Sequence, residues 1–319
     1  MAYSIFILLF SFFISNTLYK KFIFKSSKKF LDMPNKRSMH IKPVPRGAGI
    51  VFILVTNLSS IIYFLIFGFH KIFLIPLAIL PLSIVGLFDD LYSLKPVTKY
   101  IFQILVSLLM VFLSNLFINF NFSLLFLIVF LFTGIINFIN FMDGIDGIVG
   151  SCMIIALITS CLILKIDQNY LFLIGSLAAF IVWNWYPAKL FMGDIGSTFL
   201  AAINIGIITQ STSYIVALGL LLVLGPCLVD PFTCVIRRFF YGENIFTPHR
   251  LHLYQRLKLA GIRDDKVSMI YILCTLLISL SNIFLDIKFT IGIFLVTCIL
   301  GFYLDQYIAK PFSEELNKN

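Results

Sequence analysis

The chain is a succession of long apolar runs, and most of its polar residues lie in the short segments between them. A helix needs about 20 mainly apolar residues to cross the hydrocarbon core of a bilayer, where its backbone must satisfy its own hydrogen bonds. The pattern therefore predicts one all-α domain, residues 1–319, of an integral membrane protein with about 11 transmembrane helices. The predicted spans are 2–18, 49–69, 73–88, 100–117, 122–138, 148–164, 171–185, 198–209, 214–236, 267–285 and 289–307.

Composition agrees with a membrane location. Of the 319 residues, 60% are hydrophobic and only 12% are charged. A soluble protein has too little interior to bury so much apolar surface, so soluble and disordered classes are excluded. In a membrane protein the positions of the positive charges indicate which loops face the cytoplasm, so the net charge of +9 does not predict a nucleic-acid partner.

The basic residues predict the orientation. With the N-terminus outside, all of the 24 Lys and Arg fall on the inner side except Lys71, Lys165 and Lys288. The inner loops are then 19–48, 89–99, 139–147, 186–197 and 237–266. The acids also collect at the inner face, apart from Asp167 and Asp286. A transporter should carry ionisable groups near the membrane midplane, so this distribution predicts a reaction centre at the cytoplasmic surface.

Two groups of acidic residues lie where apolar spans end. Asp89 and Asp90 are adjacent carboxylates that repel each other, and a divalent cation or a proton would relieve the repulsion. A solvated helix end explains this pair equally well. The second group, Asn137-x-x-Asn140-x-x-Asp143-Gly-Ile-Asp146-Gly, places polar residues every third position, so on a helix they form one polar stripe. Its glycines would let a ligand or another backbone approach closely, whereas a turn that caps the next helix is the structural alternative.

Three further segments carry candidate chemistry. The sequence FMGDIGS, residues 191–197, places glycines beside Asp194 at a helix start, which suits phosphate and metal, although Asp194 could instead cap that helix. In HRLHLYQRL, residues 249–257, a helix would put His249, His252 and Arg256 on one face. Phosphate recognition is favoured there over zinc, since no nearby cysteine or further histidine completes a zinc site, and contact with anionic lipid is the structural alternative.

Asp230 lies inside the ninth span between Pro226 and Pro231, which should kink or break that helix. An intramembrane aspartate is a functional hypothesis by default, and capping of a broken helix is the structural alternative. The first inner loop adds Arg37 and Arg46 among prolines and glycines, where the positive-inside rule alone explains most basic residues.

Five motifs in this order resemble the polyprenyl-phosphate N-acetylhexosamine-1-phosphate transferases, also called group 4 glycosyltransferases. The resemblance implies transfer of N-acetylhexosamine 1-phosphate from a UDP-sugar to undecaprenyl phosphate, with release of UMP and with Mg²⁺ or Mn²⁺ as cofactor. It implies a bacterial inner membrane protein whose active site faces the cytoplasm. Direct attack by the lipid phosphate and a covalent aspartyl intermediate are both left open, as is a homodimer.

The resemblance also implies residue roles. The catalytic residues would be Asp89, Asp90 and Asp194, of which Asp194 and Asp90 would hold the metal. The residues implied to bind nucleotide and sugar are Asn137, Asn140, Asp143, Gly144, Asp146, Phe191, His249, Arg250 and His252. Those implied to contact the lipid and its phosphate are Arg37, His40, Arg46, Lys99 and Asp230.

The histidine loop favours one branch of this family. It has two histidines, where the branch that transfers phospho-N-acetylmuramoyl-pentapeptide has three. The loop is more similar to the branch that initiates O-antigen or a related surface polysaccharide, and the pentapeptide branch ranks second. A transporter or flippase of lipid-linked sugar is the alternative from another class, although the short, nearly uncharged outer loops count against it.

Overall fold

The computed structural model describes residues 2–25, 30–34, 43–117, 122–166, 168–244, 247 and 249–316. The helices are α1 (Ala2–Lys25), α2 (Gly49–Phe67), α3 (Lys71–Tyr92), α4 (Pro96–Leu113), α5 (Phe122–Met142), α6 (Ile148–Leu164), α7 (Asn169–Asn184), α8 (Gly193–Ile208), α9 (Tyr214–Val223), α10 (Gly225–Phe240), α11 (Leu253–Leu259), α12 (Asp264–Phe284), α13 (Ile287–Tyr307) and α14 (Phe312–Leu316). Two short strands, β1 (Leu31–Asp32) and β2 (Val44–Pro45), pair antiparallel within the first predicted inner loop.

Every predicted span coincides with a helix or a helix pair, which confirms a helical, polytopic membrane protein. Within the described residues, seven helices (α1 to α5, α12 and α13) are long and apolar enough to cross a membrane. The pair α9 and α10 forms an eighth such segment, bent by 75°. Since α6, α7 and α8 are apolar but shorter, a total of eleven crossings stays a prediction, and so does the orientation.

The bend between α9 and α10 confirms the predicted interruption of the ninth span. It falls at Leu224, and Pro226 occupies the first turn of α10. A proline at this position lacks the amide hydrogen that would continue the preceding helix, so the break follows from the sequence.

Helix α8 lies at the centre of the bundle, and every residue from Ile195 to Ile208 is buried. Its main neighbour is α3, followed by α5, α6 and α2. The backbones of α3 and α8 meet at Gly86, where an added Cβ would lie 2.7 Å from Ile195 Cα. Only a glycine permits this approach, which brings the end of α3 against the start of α8.

Candidate functional site

The predicted carboxylates at the end of α3 and the start of α8 meet around one lysine. Lys99 Nζ lies 2.8 Å from Asp89 Oδ2 and 3.1 Å from Asp194 Oδ2. The other oxygen of Asp89 accepts a hydrogen bond from the Leu94 amide at 2.7 Å. Ends of α3, α4 and α8 therefore converge on two carboxylates and one ammonium group. Lys99, which was predicted to contact phosphate, here neutralises the two acids.

Asp90 also lies at the start of α8, but its carboxylate binds main-chain amides and not Lys99. Its Oδ1 accepts a hydrogen bond from the Asp194 amide at 3.0 Å, and its Oδ2 accepts one from the Ile195 amide at 3.3 Å. Asp90 thus caps the N-terminus of α8 from another helix, where a negative charge also interacts favourably with the helix dipole. Arg46 donates to the main-chain oxygen of Asp90, which fixes the first inner loop against α3.

Asn137 and Asn140, the two asparagines of the polar stripe on α5, lie in different surroundings. Asn140 Nδ2 donates to Asp194 Oδ2 at 3.5 Å, and Asn140 Oδ1 accepts from Ser197 Oγ at 2.5 Å. Asn137 instead forms a reciprocal amide pair with Gln103 of α4, at 3.1 and 2.9 Å. Asn140 therefore belongs to the carboxylate cluster, while the Asn137 amide joins α4 to α5.

The two acids of this motif lie in the turn after α5. Burial raises the pKa of Asp143 to about 8, and the negative charges of Asp194, Asp90 and Asp146 add to the effect. The carboxyl group of Asp143 consequently favours a proton or a cation as its neighbour. Asp146 is buried, and its Oδ2 accepts a hydrogen bond from the Ala188 amide at 2.8 Å. Asp146 therefore ties this turn to the loop before α8.

Gly144 allows close packing against α11. Tyr254 Oη donates a hydrogen bond to the Phe141 main-chain oxygen at 3.0 Å, and a Cβ added at Gly144 would overlap that hydroxyl oxygen. The Phe141 ring also lies 6.0 Å from the His252 ring, measured between centroids. The turn after α5 and the histidine loop thus form one continuous region.

The histidine loop corrects two predictions. Helix α11 begins at Leu253, so the residues before it are not helical, and the predicted shared face with Arg256 is wrong. Arg256 instead forms an ion pair with Asp305 of α13. The expectation that no cysteine lies near the histidines is also wrong, because Cys234 of α10 has its ligand atom within 4.8 Å of both. The sequence reasoning missed Cys234, since it lies inside an apolar span.

In this loop His252 is buried, His249 is half-buried, and their rings lie close together. The His249 and His252 ring centroids are 4.8 Å apart. Burial lowers the pKa of each imidazole to about 3, and the positive charge of Arg238 contributes to both shifts. Both rings are therefore neutral at ordinary pH, and Arg250 between them is half-buried.

Asp230 caps α11. Its oxygens accept hydrogen bonds from the Leu253 amide at 2.7 Å, the Tyr254 amide at 3.1 Å and the Tyr271 hydroxyl at 2.7 Å. Capping is thus the role that the structure shows, but the capped helix is α11 and not the broken ninth span that the sequence suggested. Asp230 also borders an apolar cavity of about 240 Å³ between α10, α12 and α13, and its contact with a lipid stays a prediction.

The remaining predicted site residues lie in the loops that were predicted to be on the inner side. Phe191 is half-buried, and its amide donates to the Pro45 oxygen at 2.8 Å while its own oxygen accepts from the Ala48 amide at 3.1 Å. These bonds attach the loop before α8 to the first inner loop. Arg37 and His40 lie outside the described residues.

Fold and site together define a polytopic helical membrane protein with a cluster of acids, amides and basic groups at one end of its bundle. Residues 72–212 match the family model described as glycosyl transferase family 4. This stretch contains the Asp89-Asp90 pair, the repeat that ends at Asp146 and the segment around Asp194. Over these residues the chain is similar to that family.

Curated relatives cover most of the chain. It is 26% identical over 303 residues, 88% of this chain and 84% of the relative, to a probable undecaprenyl-phosphate N-acetylglucosaminyl 1-phosphate transferase of Bacillus subtilis (strain 168). It is 28% identical to a phospho-N-acetylmuramoyl-pentapeptide-transferase of Dictyoglomus thermophilum, over 76% of this chain and 83% of the relative. It is also 28% identical to a decaprenyl-phosphate N-acetylglucosaminephosphotransferase of Mycobacterium leprae, over 74% and 72%.

Proposed function

We propose that this protein transfers N-acetylhexosamine 1-phosphate from a UDP-sugar to undecaprenyl phosphate and releases UMP, which starts a lipid-linked surface polysaccharide such as an O-antigen. The observation that carries the proposal is the contact of Asp89, Lys99 and Asp194 where three helix ends meet. The names of the relatives from B. subtilis and M. leprae support both the acceptor class and the sugar class.

The chemistry requires this mixture of charges. The reaction brings together two phosphates of the donor and one of the acceptor, so repulsion between negative groups is the main obstacle. Lys99 and Arg46 are basic groups next to the carboxylates, and they would offset the phosphate charge. Asn140 would provide polar contacts for the donor.

The acids fit a magnesium ion. Lys99 Nζ shows that a cation is stable between Asp89 and Asp194, and the surrounding donors are carboxylate and amide oxygens, which Mg²⁺ and Mn²⁺ prefer. Asp194, with Asp90 beside it, would hold the ion, which neutralises donor phosphate charge when bound. Both oxygens of Asp90 accept amide hydrogen bonds, but a carboxylate has further lone pairs to offer.

We propose direct attack. An oxygen of the lipid phosphate forms a bond to the β-phosphorus of the UDP-sugar, and the bond from that phosphorus to the bridging oxygen breaks. The electron pair leaves with UMP. Asp89 would accept the proton of a protonated acceptor phosphate, and its bond to the Leu94 amide holds the carboxylate in place. Attack by an aspartate with a covalent intermediate is the alternative.

The membrane location follows from the two substrates. A lipid acceptor has its phosphate at the interface, whereas a UDP-sugar is soluble in the cytoplasm. Only a site at the inner interface meets both, and the distribution of Lys and Arg supports this orientation in the bacterial plasma membrane.

A phospho-N-acetylmuramoyl-pentapeptide transferase is the second candidate. Several curated relatives bear this name, including one 33% identical over 113 residues from Carboxydothermus hydrogenoformans. The two-histidine loop favours the N-acetylhexosamine donor, which needs no space for a peptide.

The experiment is a donor panel. Full-length protein in detergent with undecaprenyl phosphate and Mg²⁺ should release UMP from one UDP-N-acetylhexosamine, and should need both substrates. Asp194→Asn is the inactive control. Turnover of UDP-N-acetylmuramoyl-pentapeptide alone would establish the second candidate. Folded protein that releases no UMP with any donor would refute the transferase, and a transport assay with lipid-linked sugar would come next.

A further inference from the structure

Three residues outside the carboxylate cluster form a compact set of metal ligands. Cys234 belongs to α10, His249 to the histidine loop, and His252 immediately precedes α11. The sulfur of Cys234 and one ring nitrogen of each histidine all lie within 4.8 Å of one another. In a tetrahedral zinc site, bonds of about 2.0 to 2.3 Å place such atoms about 3.3 to 3.6 Å apart. Small side-chain rotations would therefore close the set around one ion.

Two of the three ligands are shielded from water. Cys234 and His252 are 3% and 4% exposed, so few water molecules compete for them. His249 is half-buried, which leaves a route by which an ion enters.

His252 has an unused polar atom. Its Nδ1 is buried and has no hydrogen-bond partner among the described residues. Asp230 Oδ1 lies 3.8 Å from that nitrogen. A small shift would make the carboxylate–histidine hydrogen bond that commonly orients metal-binding histidines, with the other ring nitrogen on the ion. A buried ring nitrogen without a hydrogen-bond partner leaves the Asp230 carboxylate free to orient the ring towards an ion.

We propose that Cys234, His249 and His252 bind one Zn²⁺ ion through one sulfur and two imidazole nitrogens. A thiolate with imidazoles selects zinc over magnesium, so this site is distinct from the carboxylate cluster. The ion would attach the histidine loop to α10, next to the N-terminus of α11. The Cys234 thiol loses its proton to solvent as the sulfur–zinc bond forms, so each bound zinc releases one proton.

Some neighbouring groups disfavour zinc binding and others favour it. The Leu251 amide donates to His249 Nδ1 at 3.2 Å, and a zinc ion that used this lone pair would replace that hydrogen bond. The Arg238 guanidinium opposes a nearby cation, but its donors point to the Asn244 oxygen and to Thr247. The Cys234 thiolate and Asp230 together match the two charges of the zinc ion.

The test measures zinc directly, without substrates, so its result is independent of the transferase assay. Full-length protein in detergent is stripped with EDTA, desalted and titrated with Zn²⁺ against a fluorescent chelator. We expect one tight equivalent that a hundredfold excess of Mg²⁺ does not displace. Cys234→Ser should weaken binding at least tenfold, whereas Cys274→Ser, at a buried cysteine of α12 outside the cluster, should bind as the wild type does.

Cobalt gives a second readout. Co²⁺ in this site should show a sulfur-to-metal charge-transfer absorption in the wild type and in Cys274→Ser, but not in Cys234→Ser. If Cys234→Ser does not fold, His249→Ala keeps the thiol and should weaken zinc binding at least tenfold. No bound zinc in the wild type, or equal affinity in the folded ligand variants, would overturn the proposal.

Discussion

Gly144 and Tyr254 provide a sharp test of how the site is built. In Gly144→Ala the new methyl group overlaps Tyr254 Oη, so the buried hydroxyl must move and its hydrogen bond to Phe141 is lost. Overpacking costs about 1 to 3 kcal/mol and a lost buried hydrogen bond about 1 kcal/mol, which gives a destabilisation of about 3 kcal/mol. Tyr254→Phe alone removes only the hydrogen bond, at about 1 kcal/mol.

The double variant should be far from additive. Without the hydroxyl, the atoms nearest to the Gly144→Ala methyl group are ring carbons of residue 254, 3.0 and 3.1 Å away, which is tight but needs only a small ring displacement. We therefore expect a total loss of about 2 kcal/mol where the single variants sum to about 4, a coupling of about 2 kcal/mol. The measurement is the free energy of unfolding of all four proteins in one detergent.

Binding of the UDP-sugar, measured in parallel, separates two explanations of the glycine. If Gly144 serves to admit Tyr254, the double variant recovers donor affinity together with stability. If Gly144 is needed because the nucleotide touches it, Gly144→Ala loses affinity and Tyr254→Phe does not restore it. Additive stability losses would refute the packing argument.

Three further predictions concern the charges of the site. Lys99→Met leaves two neighbouring carboxylates without their shared cation, so turnover should fall at least tenfold in the UMP assay. Lys95→Met, at an exposed lysine just before α4, should keep wild-type turnover. Asp230→Asn weakens a charged helix cap and should lower the free energy of unfolding by about 1 to 2 kcal/mol; an unchanged value would contradict the cap. The folded protein keeps His249 and His252 neutral down to about pH 3, whereas the same histidines in the unfolded chain take up protons near pH 6.5. In EDTA, the free energy of unfolding should therefore be highest above about pH 6.5 and should decline as the pH falls towards 3. His249→Gln should flatten that decline in thermal unfolding curves recorded between pH 7 and 4.5, and an equally steep decline would exclude this histidine as its source.

The sequence predicted the helices well because hydropathy and proline chemistry are local properties. Apolar length alone located each span, and Pro226 located the bend before α10. Apolar length does not fix the number of crossings, because α6, α7 and α8 are short and largely enclosed by other helices. A helix that contacts protein on all sides does not need the length that contact with lipid imposes.

The site acids were recognisable, whereas their partners were not. Asp89 and Asp194 stand out as charged residues at the ends of apolar runs. That Lys99 joins them, and that Asp90 caps a helix about a hundred residues later in the chain, depends on the packing of α3 against α8. No local pattern contains this information.

The histidine loop shows the same limit. Asp230 stands out in the sequence as an intramembrane acid, but Cys234 and Tyr254 look unremarkable, as a small apolar residue and an aromatic residue in or near apolar segments. They become partners only because the chain folds back so that α11 rests against α10 and the turn after α5. Contacts between distant segments decide which of the alternative roles each residue has.

The enclosed position of α8 has a consequence for biosynthesis. Its main neighbours are α2 to α6, which precede it in the chain, and α9 follows directly. As a chain emerges from the ribosome with its N-terminal part first, α8 enters the membrane when nearly all of its surroundings have been made. Asp194 then finds Lys99 and Asn140 already in place before the histidine loop has been translated, so the acidic half of the site can assemble while the protein is still incomplete.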